Sequence, residues 1–128
     1  MKVKVTKDPA LDACTITHQS VRLETAADVA SWRAQLMQQI QAVVGSDRVY
    51  LLVDYSDFKV NPSVAEAYGK VAEELRIRFA KEVFRYGATD PLSSASARLQ
   101  SLRRTHNANM FVTRQQAIAA LNLAAAKR

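Results

Sequence analysis

The sequence predicts an α/β fold: a five-stranded, mixed and largely parallel sheet opened by an N-terminal hairpin, with four helices. Three observations carry this. Two runs that alternate with period two, Lys2–Thr6 and Ala13–His18, flank the turn chemistry of DPALD at 8–12. After residue 25, segments with apolar residues three and four apart alternate with short apolar runs, the pattern of helices crossing over between parallel strands. The length of 128 residues, with 48% hydrophobic and 23% charged residues, suits one core and so a single domain over 1–128.

Each element has its own signal. The first two strands form the hairpin. Thr25 with Asp28 three places on starts a helix whose stripe is Val29, Trp32, Leu36, Ile40 and Val43, and Gly45 supplies the positive φ that ends it. Val49-Tyr50-Leu51-Leu52-Val53 is a near-continuous apolar run, the mark of a strand covered on both faces. A polar loop, Asp54 to Pro62, leads into a second helix with Val64, Tyr68, Val71, Leu75 and Phe79 inward. Gly69 inside that helix costs about 1 kcal/mol relative to alanine, which a close packing contact would explain. Glu82–Tyr86 reads as a strand ended by Gly87. Asp90-Pro91 caps and opens a third helix with Ala95, Leu99 and Leu102 inward. Asn107-Ala108-Asn109 breaks the pattern before a short strand, Met110-Phe111-Val112. Thr113 and Gln116 form a capping box for the last helix, with Ala117, Ile118 and Leu121 inward and a fraying tail from Ala124.

The composition narrows function. No apolar run approaches the roughly 20 residues of a membrane span, and MKVKVTKDPA lacks the apolar block of a signal peptide, so a cytoplasmic location is expected. The net charge of +6 is uneven: residues 1–69 carry seven basic and eight acidic groups, residues 70–128 eleven and four. Such a basic half suits an acidic partner, anion or lipid surface. Nucleic-acid binding is not indicated, because no exposed aromatics interleave the charges and no recognition-helix motif is present. Cys14 is the lone cysteine and sits among alternating apolar positions, as a buried thiol does. Cys14 and His18 are too far apart along a strand to be adjacent metal ligands, and no glycine-rich phosphate loop occurs. Neither a metal, a cofactor nor a catalytic residue is expected.

Two groups of residues stand out. Asp54, Tyr55, Ser56 and Asp57 lie just beyond the end of a central strand, the edge at which open α/β sheets bind ligands. Loop capping explains both aspartates without a third group to orient them as an acid–base pair. Further along, Ser63-Val64-Ala65-Glu66 has the form of a capping box, with Ser63 as the helix cap. The densest basic group is Arg98, Arg103, Arg104, His106 and Arg114, of which the four arginines would form an anion-binding site. Arg103-Arg104 near a helix C-terminus is also favourable for the helix dipole alone.

Three stretches resemble the STAS domain, the fold of bacterial anti-sigma factor antagonists and of the cytoplasmic tail of sulfate transporters, and most closely the bacterial STAS/SEC14-like group. These are LLVDYSDF at 51–58, the break into a helix near Ser63, and NMFVTRQQAIAAL at 109–121. The resemblance implies that the helices gather mostly on one face of the sheet. The other face must then be covered or polar, which suggests a homodimer. In antagonist STAS domains a kinase phosphorylates a Ser at the start of this helix, and aligning Asp54 with the family's strand-end Asp places Ser63 there. Pro62 precedes it where those antagonists carry Asp, and Val64-Ala65-Glu66 replaces their Ser-Gly-Leu. A phosphate on Ser63 would sit well at a helix N-terminus, with Lys59 as the nearest basic residue in sequence.

The expected role is therefore a non-catalytic regulatory or protein-interaction module. Its partner or switch site would be Asp54, Ser56, Asp57, Phe58, Lys59 and Ser63, and exposed Phe58 or Val60 beside Ser63 would favour it. The alternative is a SEC14-like domain for a small anionic or lipid ligand. An apolar pocket drawn from Trp32, Tyr68, Phe79 or Phe84 with an arginine rim would favour that reading.

Overall fold

The computed structural model describes residues 1–105 and 109–127, the side chains of 104 and 105 excepted. Its elements in chain order are β1 (Lys2–Asp8), β2 (Ala13–Gln19), β3 (Val21–Leu23), α1 (Ala26–Val44), β4 (Val49–Asp54) and β5 (Phe58–Val60). A 3-10 turn at Pro62–Val64 follows, then α2 (Ala65–Phe79), β6 (Ala80–Tyr86), α3 (Pro91–Thr105), β7 (Met110–Phe111) and α4 (Arg114–Ala126). Five strands make one sheet in the order β1-β2-β4-β6-β7, antiparallel between β1 and β2 and parallel elsewhere.

The apolar run of β4 is explained by its place at the centre. Leu51 and Val53 join Cys14, Ile16 and Val83 in a core roofed by α1, α2 and α3. Tyr50 and Leu52 face the other way, where Ala13, Phe84 and Tyr86 pack under Ala117 and Leu121 of α4. Three helices thus lie on one face and α4 on the other. The part of the second face formed by β1 and β2 is polar, with Lys2, Lys4 and Thr6 exposed and Thr15 and Thr17 half-buried. Between α4 and this polar strip, that face needs no second copy to cover it.

The buried stripes of α1 and α2 largely follow their apolar spacing, with Met37 and Val44 added to the first and Gly69 to the second, while Val43 and Val64, the latter in the turn before α2, are only half-buried. Thr25 and Thr113 both make complete capping boxes. Helix α1 also closes the open edge of the sheet. The outward amides of Val3 and Val5 donate to Gln35 Oε1 at 3.3 Å and Gln39 Oε1 at 3.0 Å, and the Gln39 amide donates to the Val3 carbonyl. Three backbone groups of the edge strand are thereby taken up by side chains of its own chain.

Two expectations fail here. First, the segment taken as a plain loop contains β5, which pairs in parallel with β3 as a second, two-stranded sheet. Three-residue strands are too short to show a period. Second, α3 is rotated: Ala95, Leu99 and Leu102 are exposed, while Ser93, Ala97, Gln100 and Ser101 are buried. The reason lies in what its neighbours offer. The Ser93 hydroxyl accepts from the Val60 amide at 2.7 Å and lies 2.5 Å from the Asp90 carboxylate, to which it donates. Seven residues on, Gln100 fits over Gly69, where a Cβ would lie 2.4 Å from Gln100 Oε1. The internal glycine of α2 is the close contact that its cost called for.

If Gln35 and Gln39 hold the sheet edge, replacing both by alanine lowers the unfolding free energy by about 1–3 kcal/mol through unsatisfied amides. Urea titration measures this, with faster hydrogen exchange at the Val3 and Val5 amides. An unchanged midpoint would show that water caps the edge equally well.

Candidate functional site

Beyond the end of β4 the chain is anchored by a buried aromatic cluster. The His18 ring stacks on Tyr55 at 5.7 Å between centroids and packs against Phe58 at 4.8 Å, and Trp32 and Tyr68 stack beside them at 5.5 Å. The Tyr55 and Tyr68 hydroxyls are 2.6 Å apart. Burial, with the neighbouring Tyr55 next in importance, raises the Tyr68 phenol well above its ordinary range. Trp32 Nε1 can only donate, so His18 Nε2, 3.2 Å away, must accept. Nδ1 therefore carries the proton and donates to the Asp54 carbonyl at 2.7 Å. His18 is held neutral: burial lowers its pKa, partly offset by that carbonyl and by the charges of Asp54 and Asp57.

Both aspartates build turns. Asp54 Oδ1 accepts from the Ser56 amide at 2.8 Å, and Tyr55 N donates to the Tyr86 carbonyl at 2.9 Å. Gly87, at φ 79°, passes beneath, where a Cβ would lie 3.1 Å from Asp54 Oδ1. Asp57 accepts from the Ser20 amide at 2.7 Å and pairs with Arg22 at 2.9 Å, and these two contacts lower its pKa in that order. Ser20 has φ 52°, so Asp57 secures a strained corner between β2 and β3.

Ser63 is not the helix cap. The 3-10 turn before α2 puts Ser63 inside a turn whose own cap is Asn61, with Asn61 Oδ1 accepting from the Ser63 amide at 2.9 Å. The cap position of α2 is Val64, which has no side-chain bond to offer. Ser63 is left exposed at the surface. Phe58 and Val60, expected as exposed apolar contacts, are both buried, Phe58 in the aromatic cluster and Val60 between Leu23 and α3.

What the surface offers instead is a groove of about 180 Å³ between the two-stranded sheet and the first turn of α3. It is lined by the buried Leu23 and Val60, the half-buried Arg22 and Asp90, and the exposed Glu24, Lys59, Asn61, Pro62 and Leu92. Asp90 caps α3 through the Ser93 hydroxyl and amide, which lower its pKa in that order, with Lys59 and Arg22 contributing charge. Of the sequence-derived partner residues, Lys59 lines this groove and Ser63 adjoins it, while Asp54 and Ser56 lie in the preceding turn. Arg22, Asn61 and Leu92 were missed. The Asn-Pro pair at 61–62 was a legible turn signal, but nothing marked Leu92 as outward.

Arg98 and Arg103 are not brought together with Arg114 as one site. Arg98 and Arg103 are exposed on α3, whereas Arg114 begins α4 on the other sheet face and hydrogen-bonds Tyr86. The Arg104 side chain and His106 lie outside the described residues. The apolar pocket imagined for a lipid does not form either. Trp32, Tyr68 and Phe79 are packed into one core and Phe84 into the other, with the sheet between them. A cavity beside Tyr68 and Arg85 has a volume of about 10 Å³, room for about one water. Among the described residues no group of acids, histidines or cysteine could hold a metal, and no helix is long and apolar enough to cross a membrane.

No family model matches the sequence, and no curated protein matches it. The structure does have a counterpart in fold. It superposes on the murine Solute Carrier 26 family member A9 (Slc26a9) anion transporter in its inward-facing state with a TM-score of 0.66 and 10% identity. The match covers 88% of this chain and 18% of that one, consistent with the transporter's C-terminal STAS domain. The fold is STAS-like. The hairpin, the parallel strands and the crowding of helices on one face agree with what the sequence resemblance implied. At this identity the likeness concerns fold alone.

Two outcomes follow. Asn61→Ala costs about 1 kcal/mol as the loss of a cap, whereas Ser63→Ala stays within about 0.5 kcal/mol, both read from denaturant midpoints. A larger loss at Ser63 would restore it as the cap. Below its ordinary pKa of 6.5, His18 takes a proton in the unfolded chain before it does in the folded one, so stability falls as the pH drops below 6.5. Thermal unfolding across that range shows the slope, and His18→Asn, which keeps a donor for Asp54, flattens it. An equal slope in that variant would assign the effect to other groups.

Proposed function

We propose that this STAS-like fold serves as a non-catalytic protein-interaction module whose partner seats on the groove beside the start of α2. The observation that carries this is the groove itself: an open concavity of about 180 Å³ lined by buried Leu23 and Val60 and by exposed Pro62 and Leu92. It lies next to Ser63, the residue that the resemblance nominates as a switch, and a phosphate there would add negative charge close in sequence to Lys59. Asp54, Ser56 and Asp57 serve this site from behind, by fixing the turn that carries Phe58 and Lys59. The apolar chamber that would favour the ligand-carrier alternative is not open, because Trp32, Tyr68, Phe79 and Phe84 are all packed into the two cores.

A photo-crosslinking residue placed at Ser63, in the cells the protein comes from, yields a discrete adduct, and one placed at exposed Ser31 on α1 does not. Leu92→Arg, which places charge in the groove lining, removes the Ser63 adduct. Equal labelling from both positions, or none from Ser63, would end the proposal. The intact mass of the same material reports whether Ser63 carries a phosphate.

A further inference from the structure

We infer that the partner is an acidic amphipathic helix, and that it lies along the outward face of α3 with one apolar side chain in the groove. This rests on the interaction-module reading above and names the partner's chemistry. The central observation is that α3 is amphipathic the wrong way round. Its buried face is Ser93, Ala97, Gln100 and Ser101, and its outward face is Leu92, Ala95, Leu99 and Leu102. The three leucines are 64%, 48% and 45% exposed. Spaced by three, four and three residues, these positions form one stripe roughly 15 Å long. Isolated exposed leucines need no explanation, but an aligned row of them is a contact surface.

The borders of the stripe specify what covers it. At about 100° per residue, Arg103 falls on one side of the leucines and Arg98 on the other. Both are exposed, and Pro91–Thr105 contains no acidic residue. The complement is a helix with leucine-like residues at three-and-four spacing and carboxylates on both flanks, which would meet an arginine on each side. The stripe also runs into the groove, since Leu92 belongs to both. Arg22 and Lys59 in its lining are balanced there by Glu24 and Asp90, so the groove suits an apolar side chain better than a charge.

The same features argue against other occupants. A second copy of α3 would bring Arg98 and Arg103 against arginine with no carboxylate to meet them. A bilayer surface would cover the leucines but leave the concave groove unfilled. An acidic helix satisfies the stripe, its borders and the groove together.

The test uses the full chain and a fluorescein-labelled synthetic helix of about five turns, with leucine on one face and glutamate on both flanks. Its controls are a scrambled peptide of the same composition, a peptide with lysine for glutamate, and phosphatidylcholine vesicles containing phosphatidylglycerol. Fluorescence anisotropy should show saturable binding of the acidic amphipathic helix, weakening as salt is raised, and no comparable binding of the controls. Leu99→Asp with Leu102→Asp should weaken it about tenfold or more while lowering the melting temperature less than a core substitution does, because both side chains are only about half covered. Arg98→Glu with Arg103→Glu should transfer preference to the lysine peptide.

Absence of binding by the acidic helix, equal binding by the scrambled peptide, or preferential binding to vesicles would overturn the inference. So would a dimer that dissociates in the leucine variant, or a fall in its melting temperature of the size seen for core substitutions. If the peptide fails while the Ser63 adduct persists in both variants, the interaction module stands and only its partner is misassigned. If both fail, the module reading fails as well.

Discussion

Everything in this fold is arranged around one strand that has no wet side. β4 carries Leu51 and Val53 to one face and Tyr50 and Leu52 to the other, so both faces of the sheet must be roofed at its centre. Three helices take one face and α4 takes the other, and the strand's far end can be reached only through turns. That end is where the chain spends its polar residues. Asp54 closes a turn on Ser56, Asp57 holds the β2–β3 corner, and His18 receives and donates one hydrogen bond each in a neutral ring. The aspartates and the histidine look like chemistry in a list of residues. In place they are fasteners that set where Phe58 and the following strand must go.

The second constraint is a single hydroxyl. Ser93 serves the Val60 amide and the Asp90 carboxylate at once, so it must point inward, and a helix with Ser93 inward has Leu92 outward. One buried hydrogen-bond junction thus decides the rotation of the whole of α3. Hydrophobic burial would have chosen the opposite rotation. It is outweighed because the groups facing α3 are a strand amide, a carboxylate and the space above Gly69, each of which requires a polar or small side chain. The leucines are what remains.

How much of this was legible follows from the kind of signal each residue emits. The dry central strand, the hairpin, and the caps at Thr25 and Thr113 were readable because each is a local pattern of side-chain type. The groove was not. β3 and β5 are three residues each, below the length at which alternation means anything, and they find each other across 34 intervening residues. Ser63 looked like a cap because the sequence Ser-Val-Ala-Glu is a good one, yet Asn61-Pro62 starts a tighter turn first and takes over the role. The face of α3 was misread because apolar periodicity assumes that leucines point inward. That assumption holds unless the opposite stripe has distant hydrogen-bond partners, as Ser93 does. The basic group was misjudged for a related reason: proximity in sequence between α3 and Arg114 does not survive a crossing to the other side of the sheet.

The treatment of the outer strand has a wider consequence. With Gln35 and Gln39 spliced onto β1, the amides of Val3 and Val5 already have partners within the chain. A strand arriving at that margin would have to unseat two side chains of α1 before it could bond these positions. The chain thus keeps its own competitor in place where a stranger would otherwise find the backbone bare.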